Sequence, residues 1–315
     1  MRGEKSNLPI RNIVFQGLKI GGENDFLGSK PIFALELNIF DFGASSHIVK
    51  DFYDKRIPHF HVMLNLFQHL ISERPCDPEV SSTRCELAKN LIIQAQKADC
   101  DILALKFNIP EENLEENVSK ATELLKSLLP HIKKPLLIRG VNNKSVDIRL
   151  LPELMQVLDR EVIIAFASEN TYKEIVPAVV KGGHILAIRT PIDINLAKEM
   201  NILTSDMGLS LDKILIDTDM GGLGYGLEYG YSIMERIKLA AFEGDKMLNM
   251  PLIAFAGEEA LKVKEAKSDT FSQSFGDFKE RSKMFEIATV SAVIAAGANL
   301  IVLEYPNSIE AIKGE

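Results

Sequence analysis

Cysteine is scarce in this chain. Three occur in 315 residues, Cys76, Cys85 and Cys100. Their spacing, C-x8-C-x14-C, matches no zinc or iron–sulfur ligand pattern. An odd number without a secretory leader argues against a disulfide framework, so ordinary reduced thiols are expected. Long apolar runs are missing as well: nothing approaches the roughly 20 residues needed to span a bilayer. The opening segment MRGEKSNLPIRN lacks the apolar core of a signal peptide, which points to a cytoplasmic protein without a membrane role. Positive charge is in deficit, with 36 Lys and Arg against 44 Asp and Glu for a formal net charge of −8. With no basic run, nucleic acid is excluded as a favoured partner. A GxxxxGK[ST] phosphate loop is absent, and no GxGxxG turn follows the apolar run at residue 32, so a Rossmann nucleotide site is not expected.

What is present is a rhythm. Eight short apolar, β-branched runs recur: Ile32–Leu37, Asp101–Phe107, Pro135–Val141, Glu161–Ala167, His184–Arg189, Lys213–Asp217, Pro251–Ala256 and Asn299–Leu303. Runs of this length and composition predict buried parallel strands. Segments with a 3.6-residue period lie between them: Glu86–Ala98, Leu114–Leu129, Val146–Leu158, Tyr172–Lys181, Ile194–Met207, Ser232–Phe242 and Met284–Ala296. Gly182-Gly183 and Gly297 stand as helix stops just before strands. Strand–helix alternation repeated eight times predicts an α/β fold, a single (β/α)8 TIM barrel over residues 1–315. Residues 1–30 form an N-terminal extension with a candidate hairpin, IVFQGLKIGG, suited to plugging the lower end of the barrel. A long insertion at about 45–82 follows the first barrel strand and carries a helix-like piece, His61–Glu73. His59-x-His61 within it suggests metal, but no carboxylate or further ligand completes a set, so no metal site is expected. Residues 267–280 read as a polar surface loop.

Chemistry in such a barrel sits at the carboxyl ends of the strands. The most informative stretch is Asp217–Glu228, DTDMGGLGYGLE, an acidic strand end followed by Gly221, Gly222, Gly224 and Gly226. Glycines gather where a backbone needs positive φ or must approach something bulky. Strand parity turns Glu36, Asn38, Lys106, Asn108, Arg189 and Asp217 toward the lumen. A buried charge left unpaired costs several kcal/mol, so a Glu36–Lys106 ion pair between neighbouring strands is expected. Lys106 as a Schiff-base lysine is the competing reading. Ser168-Glu169-Asn170 and Thr190–Asn195 add polar rim residues, with Asp193 and Asn170 also suited to helix capping. The rim reads as rich in amides, glycine and tyrosine, without the paired carboxylates, His–Ser pairs or metal triads that identify a reaction.

Three segments carry a resemblance: TPIDINLAKEMNIL (190–203), IDTDMGGLGYGLEYGYSIMERIKLAAFEGDKML (216–248) and MPLIAFAGEEALKVKEA (250–266). They closely resemble the small subunit of the corrinoid iron–sulfur protein, equivalent to the delta subunit of archaeal acetyl-CoA decarbonylase/synthase. FALEL (33–37), ADCDILALKF (98–107) and SENTYKE (168–174) agree more weakly. The resemblance implies a non-catalytic TIM-barrel subunit in a heterodimeric methyl carrier of the reductive acetyl-CoA (Wood–Ljungdahl) pathway. Its large-subunit partner carries the [4Fe–4S] cluster and a mobile corrinoid domain, and the barrel mouth covers the cobalamin-type cofactor shared between them. A methyl-tetrahydropterin methyltransferase and acetyl-CoA synthase are the further partners implied. The corrin-lining residues implied by the resemblance are Asn170, Asp193, Asn195, Gly222, Gly224, Tyr225 and Gly226, none of them catalytic. The alternative is a methyl-tetrahydropterin:corrinoid methyltransferase with its own pterin site, for which Asp217, Asp193 and Asn195 are candidates. The sequence departs from the family at Thr218 (Pro expected), Leu261 (aromatic expected) and Glu304-Tyr305 (Arg-His expected).

Overall fold

The computed structural model describes residues 8–24, 30–39, 78–268 and 270–314. Eight parallel strands close into a barrel: β3 (Ile32–Asn38), β4 (Ile102–Lys106), β5 (Leu136–Arg139), β6 (Ile163–Ala167), β7 (Ile185–Arg189), β8 (Ile214–Asp217), β9 (Leu252–Ala254) and β10 (Leu300–Leu303). β10 pairs with β3 to complete the circle, Leu300 opposite Ile32. All eight coincide with the apolar runs, because buried parallel strands need side chains that are apolar on both faces.

Two buried clusters divide those faces. Leu103, Leu105, Leu136, Ile138, Leu186 and Ile188 point outward and pack under the helices. Ala34, Ile102, Ala104, Leu137, Ala187 and Leu215 point inward and fill the lumen. Burial of each large aliphatic side chain contributes about 1.5–3 kcal/mol, so both layers are needed to hold a chain of this size. In β6 the register shifts between Ala165 and Ala167, and Phe166 consequently joins Ala165 among the lumen residues.

The lower end is closed as the extension suggested. β1 (Asn12–Phe15) and β2 (Leu18–Gly21) form an antiparallel hairpin. Its two-residue turn, Gln16-Gly17, has φ of 47° and 89°, the double positive φ that matches strand twist in a tight hairpin. Alternation then puts Ile13, Phe15 and Ile20 on one face, packed into the lumen cluster, while Val14 stays exposed. Buried Lys238 tethers the hairpin's exit: it donates to Glu23 and, at 2.8 Å, to Asn299 Oδ1.

The helices are α1 (Pro78–Ala95), α2 (Leu114–Leu128), α3 (Lys144–Gln156), α4 (Tyr172–Gly182), α5 (Ile194–Asp206), α6 (Leu227–Phe242), α7 (Ala256–Lys262), α8 (Lys264–Lys267), α9 (Phe278–Ala295) and α10 (Pro306–Lys313). Side chains cap several: Asn143 accepts from Ser145 N at 3.0 Å and Asp277 from Lys279 N at 2.9 Å. Three expectations need correction. α1 begins at Pro78 rather than Glu86. α7 follows β9 at once, where the sequence pattern was too short to predict a helix. The polar stretch 267–280 is partly ordered, with a 3-10 turn at Gln273–Phe275 and the start of α9 at Phe278, where the Asp277 cap overrides its polar composition. His59-x-His61, the helix-like piece 61–73, Cys76 and residues 45–77 of the insertion lie outside the described residues. Among the described residues no helix is long and apolar enough to cross a membrane.

Candidate functional site at the barrel mouth

The strand ends do not leave an empty cup. Inward parity places Glu36, Lys106, Arg139, Arg189 and Asp217 in one layer, joined by Glu258 from the first turn of α7. Arg139 is fully buried, and its Nη1 donates to Glu36 Oε2 at 3.1 Å while Nη2 donates to Glu258 Oε2 at 2.6 Å. Lys106 Nζ lies 3.2 Å from Glu258 Oε1. Arg189 Nε donates to Asp217 Oδ2 at 2.6 Å, and its Nη1 lies 3.2 Å from Asp219 Oδ1. Two phenyl rings hold these guanidiniums in place. Phe166 and Phe255 meet edge to face at 4.7 Å. Arg189 lies 3.5 Å from the Phe166 centroid, and Arg139 lies 5.0 and 4.8 Å from the two rings. Planar guanidiniums suit both partners, carboxylate forks along their edges and aromatic faces above.

The expected Glu36–Lys106 pair is therefore corrected. Their strands are neighbours, Leu37 opposite Leu105, but Arg139 reaches Glu36 from one strand further on, and Lys106 turns to α7. The longer, five-donor guanidinium satisfies two carboxylates at once, which a lysine between them does less well. As one arm of an ion pair, Lys106 is not free for Schiff-base attack.

Charge in this layer is balanced by position. Burial opposes ionisation of Glu258, but Arg139, Lys106 and Lys262 outweigh it and hold its carboxyl well below the usual range. Burial raises the Asp217 carboxyl, with Arg189 opposing. Behind them, burial pushes fully enclosed Glu286 up to about 7. Its carboxyl accepts from the backbone N–H of Glu304 at 2.6 Å and of Tyr305 at 3.2 Å. Glu304 is pushed up to about 8 by burial and by the like charges of Glu36 and Glu286.

The glycine-rich loop after β8 is mostly spoken for by the chain itself. A Cβ on Gly222 would meet Glu259 O and Val263 Cγ1, each at 2.6 Å, so this buried glycine exists to let α7 approach. A Cβ on Gly221 would meet Tyr225 O at 2.6 Å. A Cβ on Gly224 (φ 77°) would meet nothing within 4 Å among the described residues, and Gly226 (φ 112°) precedes α6. What remains open is the outer rim: Ile192, Leu223, Tyr225 and Tyr229 are exposed. Tyr225 and Tyr229 are 55% and 62% accessible, high for aromatics unless something covers them. Asp193 caps α5, accepting from Asn195 N at 2.8 Å and Leu196 N at 3.1 Å. The capping expectation for Asn170 is corrected: Thr171 is the N-cap, and its Oγ1 accepts from Ser168 N at 2.9 Å. Asn170, in the turn before α4, and Asn195, in the first turn of α5, stay exposed on the same rim.

Residues 50–294 match the family described as the CO dehydrogenase/acetyl-CoA synthase delta subunit. The chain belongs to that family. Named relatives include the acetyl-CoA decarbonylase/synthase complex subunit delta of Methanopyrus kandleri, 29% identical over 62% of this chain and 48% of the relative. Subunit delta 1 of Methanosarcina thermophila is 29% identical over 75% and 55%. The delta subunit of Methanocaldococcus jannaschii is 26% identical over 75% and 57%. The chain thus spans about half the length of the curated relatives it matches. Among solved structures, Xanthomonas albilineans dihydropteroate synthase with 4-aminobenzoic acid superimposes with a TM-score of 0.58 at 11% identity, covering 98% of this chain and 96% of that one. The Thermus thermophilus dihydropteroate synthase gives 0.53 at 12% identity, covering 96% and 97%. At such identity these structures speak for the TIM-barrel fold alone.

Within this delta-family chain the two most deeply committed mouth residues, Arg139 and Glu258, were not singled out from the sequence. Arg139 was within reach: the parity that turns Lys106 inward in LALKF turns Arg139 inward in LLIR. Glu258 had no periodic signal, because α7 is too short to show one. The departures from the family pattern sit around the same layer. Glu304 closes β10 beside Glu286, Thr218 is buried at the end of β8, and Leu261 is half-buried on α7.

Proposed function

We propose that this chain is the non-catalytic small subunit of a heterodimeric, cytoplasmic corrinoid iron–sulfur methyl carrier. In this reading its mouth covers a corrinoid held by a large subunit that also carries the [4Fe–4S] cluster. The assembly takes a methyl group from a methyl-tetrahydropterin methyltransferase and delivers it to acetyl-CoA synthase. The cofactor's cobalt supplies the methyl-bearing centre; this chain's residues orient and shield. The observation that carries the reading is the form of the mouth: a floor of paired ions and aromatic rings beneath an exposed rim of Ile192, Leu223, Tyr225 and Tyr229.

Such a rim fits a broad, flat ring better than a small substrate that must be enclosed. Gly224 has room in front of it, and Asn170 and Asn195 present amides suited to the acetamide arms of a corrin. Tyr225 and Gly226 line the same edge. Asp193 serves the ring by holding α5, and Gly222, with its free face already packed, serves by seating α7. The decisive experiment is co-expression with a candidate large subunit bearing a four-cysteine cluster motif. A corrinoid-coloured heterodimer, lost on Tyr225→Ala with Leu223→Ala while the isolated barrel keeps its melting temperature, is the expected result. A colourless, non-associating barrel refutes it.

A second reading, a methyl-tetrahydropterin:corrinoid methyltransferase, draws on the fold. The neighbouring dihydropteroate synthases include one solved with 7,8-dihydropteroate. Against it, the lumen carboxylate best placed for a pterin ring, Asp217, is buried and committed to Arg189. Methylation of free reduced cobalamin from methyl-tetrahydrofolate by this chain alone would establish the enzyme in place of the carrier.

A further inference from the structure

The end of the barrel opposite the mouth carries a cavity that the carrier reading does not use. It lies where the hairpin meets the turns leading into β8 and β9, held there by Arg11 N donating to Asn249 O at 2.7 Å. Its volume is about 620 Å³, within the roughly 300–1,000 Å³ typical of small-molecule sites. Arg11, Lys19 and Lys246 all line it, and Asp212 is the single acid among its lining residues. The local balance is three cations against one acid, or +2, in a chain whose overall formal charge is −8. Among the described residues none of these three cations has an ion-pair partner.

The wall behind these cations is closed: Asn249 is 6% exposed, and its Nδ2 donates to Pro9 O at 3.3 Å. Among the described residues its shielded Oδ1 and the shielded Nε of Arg11 have no hydrogen-bond partner.

We propose that this cavity binds a dianionic small molecule, phosphorylated or dicarboxylic. Its two negative charges lie among Arg11, Lys19 and Lys246. The site is independent of the mouth, so its failure would leave the carrier reading untouched.

Isothermal titration of the full chain at low ionic strength, with inorganic pyrophosphate and separately with malonate, tests it. Saturable binding of at least one probe is expected, and the tighter one identifies phosphoryl or carboxylate chemistry. The Lys19→Ala, Lys246→Ala double variant changes only exposed side chains and should weaken binding by about tenfold or more. Asp212→Asn, which removes the opposing charge, should tighten it. Absence of binding by both probes tighter than about 1 mM overturns the proposal. So does binding that is indifferent to the double variant while the melting temperature is unchanged.

Discussion

Replacing Arg139 with methionine should be the most damaging conservative change in the barrel mouth. The side chain is fully buried, bonds to two carboxylates, and lies about equally far from two phenyl rings. Methionine keeps much of the volume but strands Glu36, itself 5% exposed, and leaves Glu258 only Lys106 and Lys262. Breaking a buried pair on one side costs about 3–5 kcal/mol, because the stranded charge stays in low dielectric. Against a total stability of about 5–15 kcal/mol, that is about a fifth or more of what holds the fold. The loss should also depend on pH with a definite sign. In the parent the Glu258 carboxyl is held below its unfolded value, so its contribution is present at neutral pH and fades on acidification through that range. In the variant Arg139 no longer opposes the effect of burial on Glu258, so protonation relieves that carboxylate at a higher pH than in the parent. The difference between parent and variant should therefore be larger at pH 8 than at pH 5. Urea unfolding followed by circular dichroism at both pH values measures it. A double variant that adds Glu36→Gln should recover part of the loss, since Glu258 keeps Lys106 and the buried Glu36 charge is gone. A single-variant cost under about 1 kcal/mol, or one equal at both pH values, would refute the account of the mouth as a layer held by Arg139.

Four further outcomes follow from the same kind of reasoning. His184 is 3% exposed, neither ring nitrogen is hydrogen-bonded among the described residues, and burial lowers its pKa. The unfolded chain therefore takes up its proton first as pH falls below about 6.5, stability drops there, and His184→Leu should remove that part of the acid sensitivity seen in thermal melts. Gly222→Ala should cost about 1–3 kcal/mol, since its Cβ would press on Glu259 O and Val263. Gly224→Ala meets open space and should cost only the strain of its positive φ, about 1 kcal/mol, by the same unfolding measurement. Lys238→Met should strand buried Glu23 at a cost of about 3–5 kcal/mol and raise amide exchange across residues 12–21.

The candidate site was legible in outline and not in its partners. Strand parity located Glu36, Lys106, Arg189 and Asp217 in the lumen, and the structure keeps all four there. Which charge meets which depends on reach across the barrel and on α7, and neither is written in a local period. Glu258 shows the limit: in AGEEALK it looks like one of two surface acids in a helix start, yet it joins Arg139 and Lys106. The glycines of Asp217–Glu228 point in the sequence to positive φ or to the approach of something bulky. One of them, Gly222, makes room for a helix of the same chain, and a sequence contains no sign of what will press on a glycine.

The order of apolar runs and helix-period segments determined the eight-stranded barrel by itself. Burial on both faces of a parallel strand imposes a composition that few other structures share, and cap residues such as Asp193 act within a few positions of themselves. The hairpin's role was written locally too, in a turn needing positive φ and in alternating Ile13, Phe15 and Ile20. Only the tertiary structure decided the pairing of the mouth's charges, the packing of Gly222 and the convergence of Arg11, Lys19 and Lys246 at the opposite end. Those contacts join residues far apart in the chain, and their energies depend on distance and burial in three dimensions.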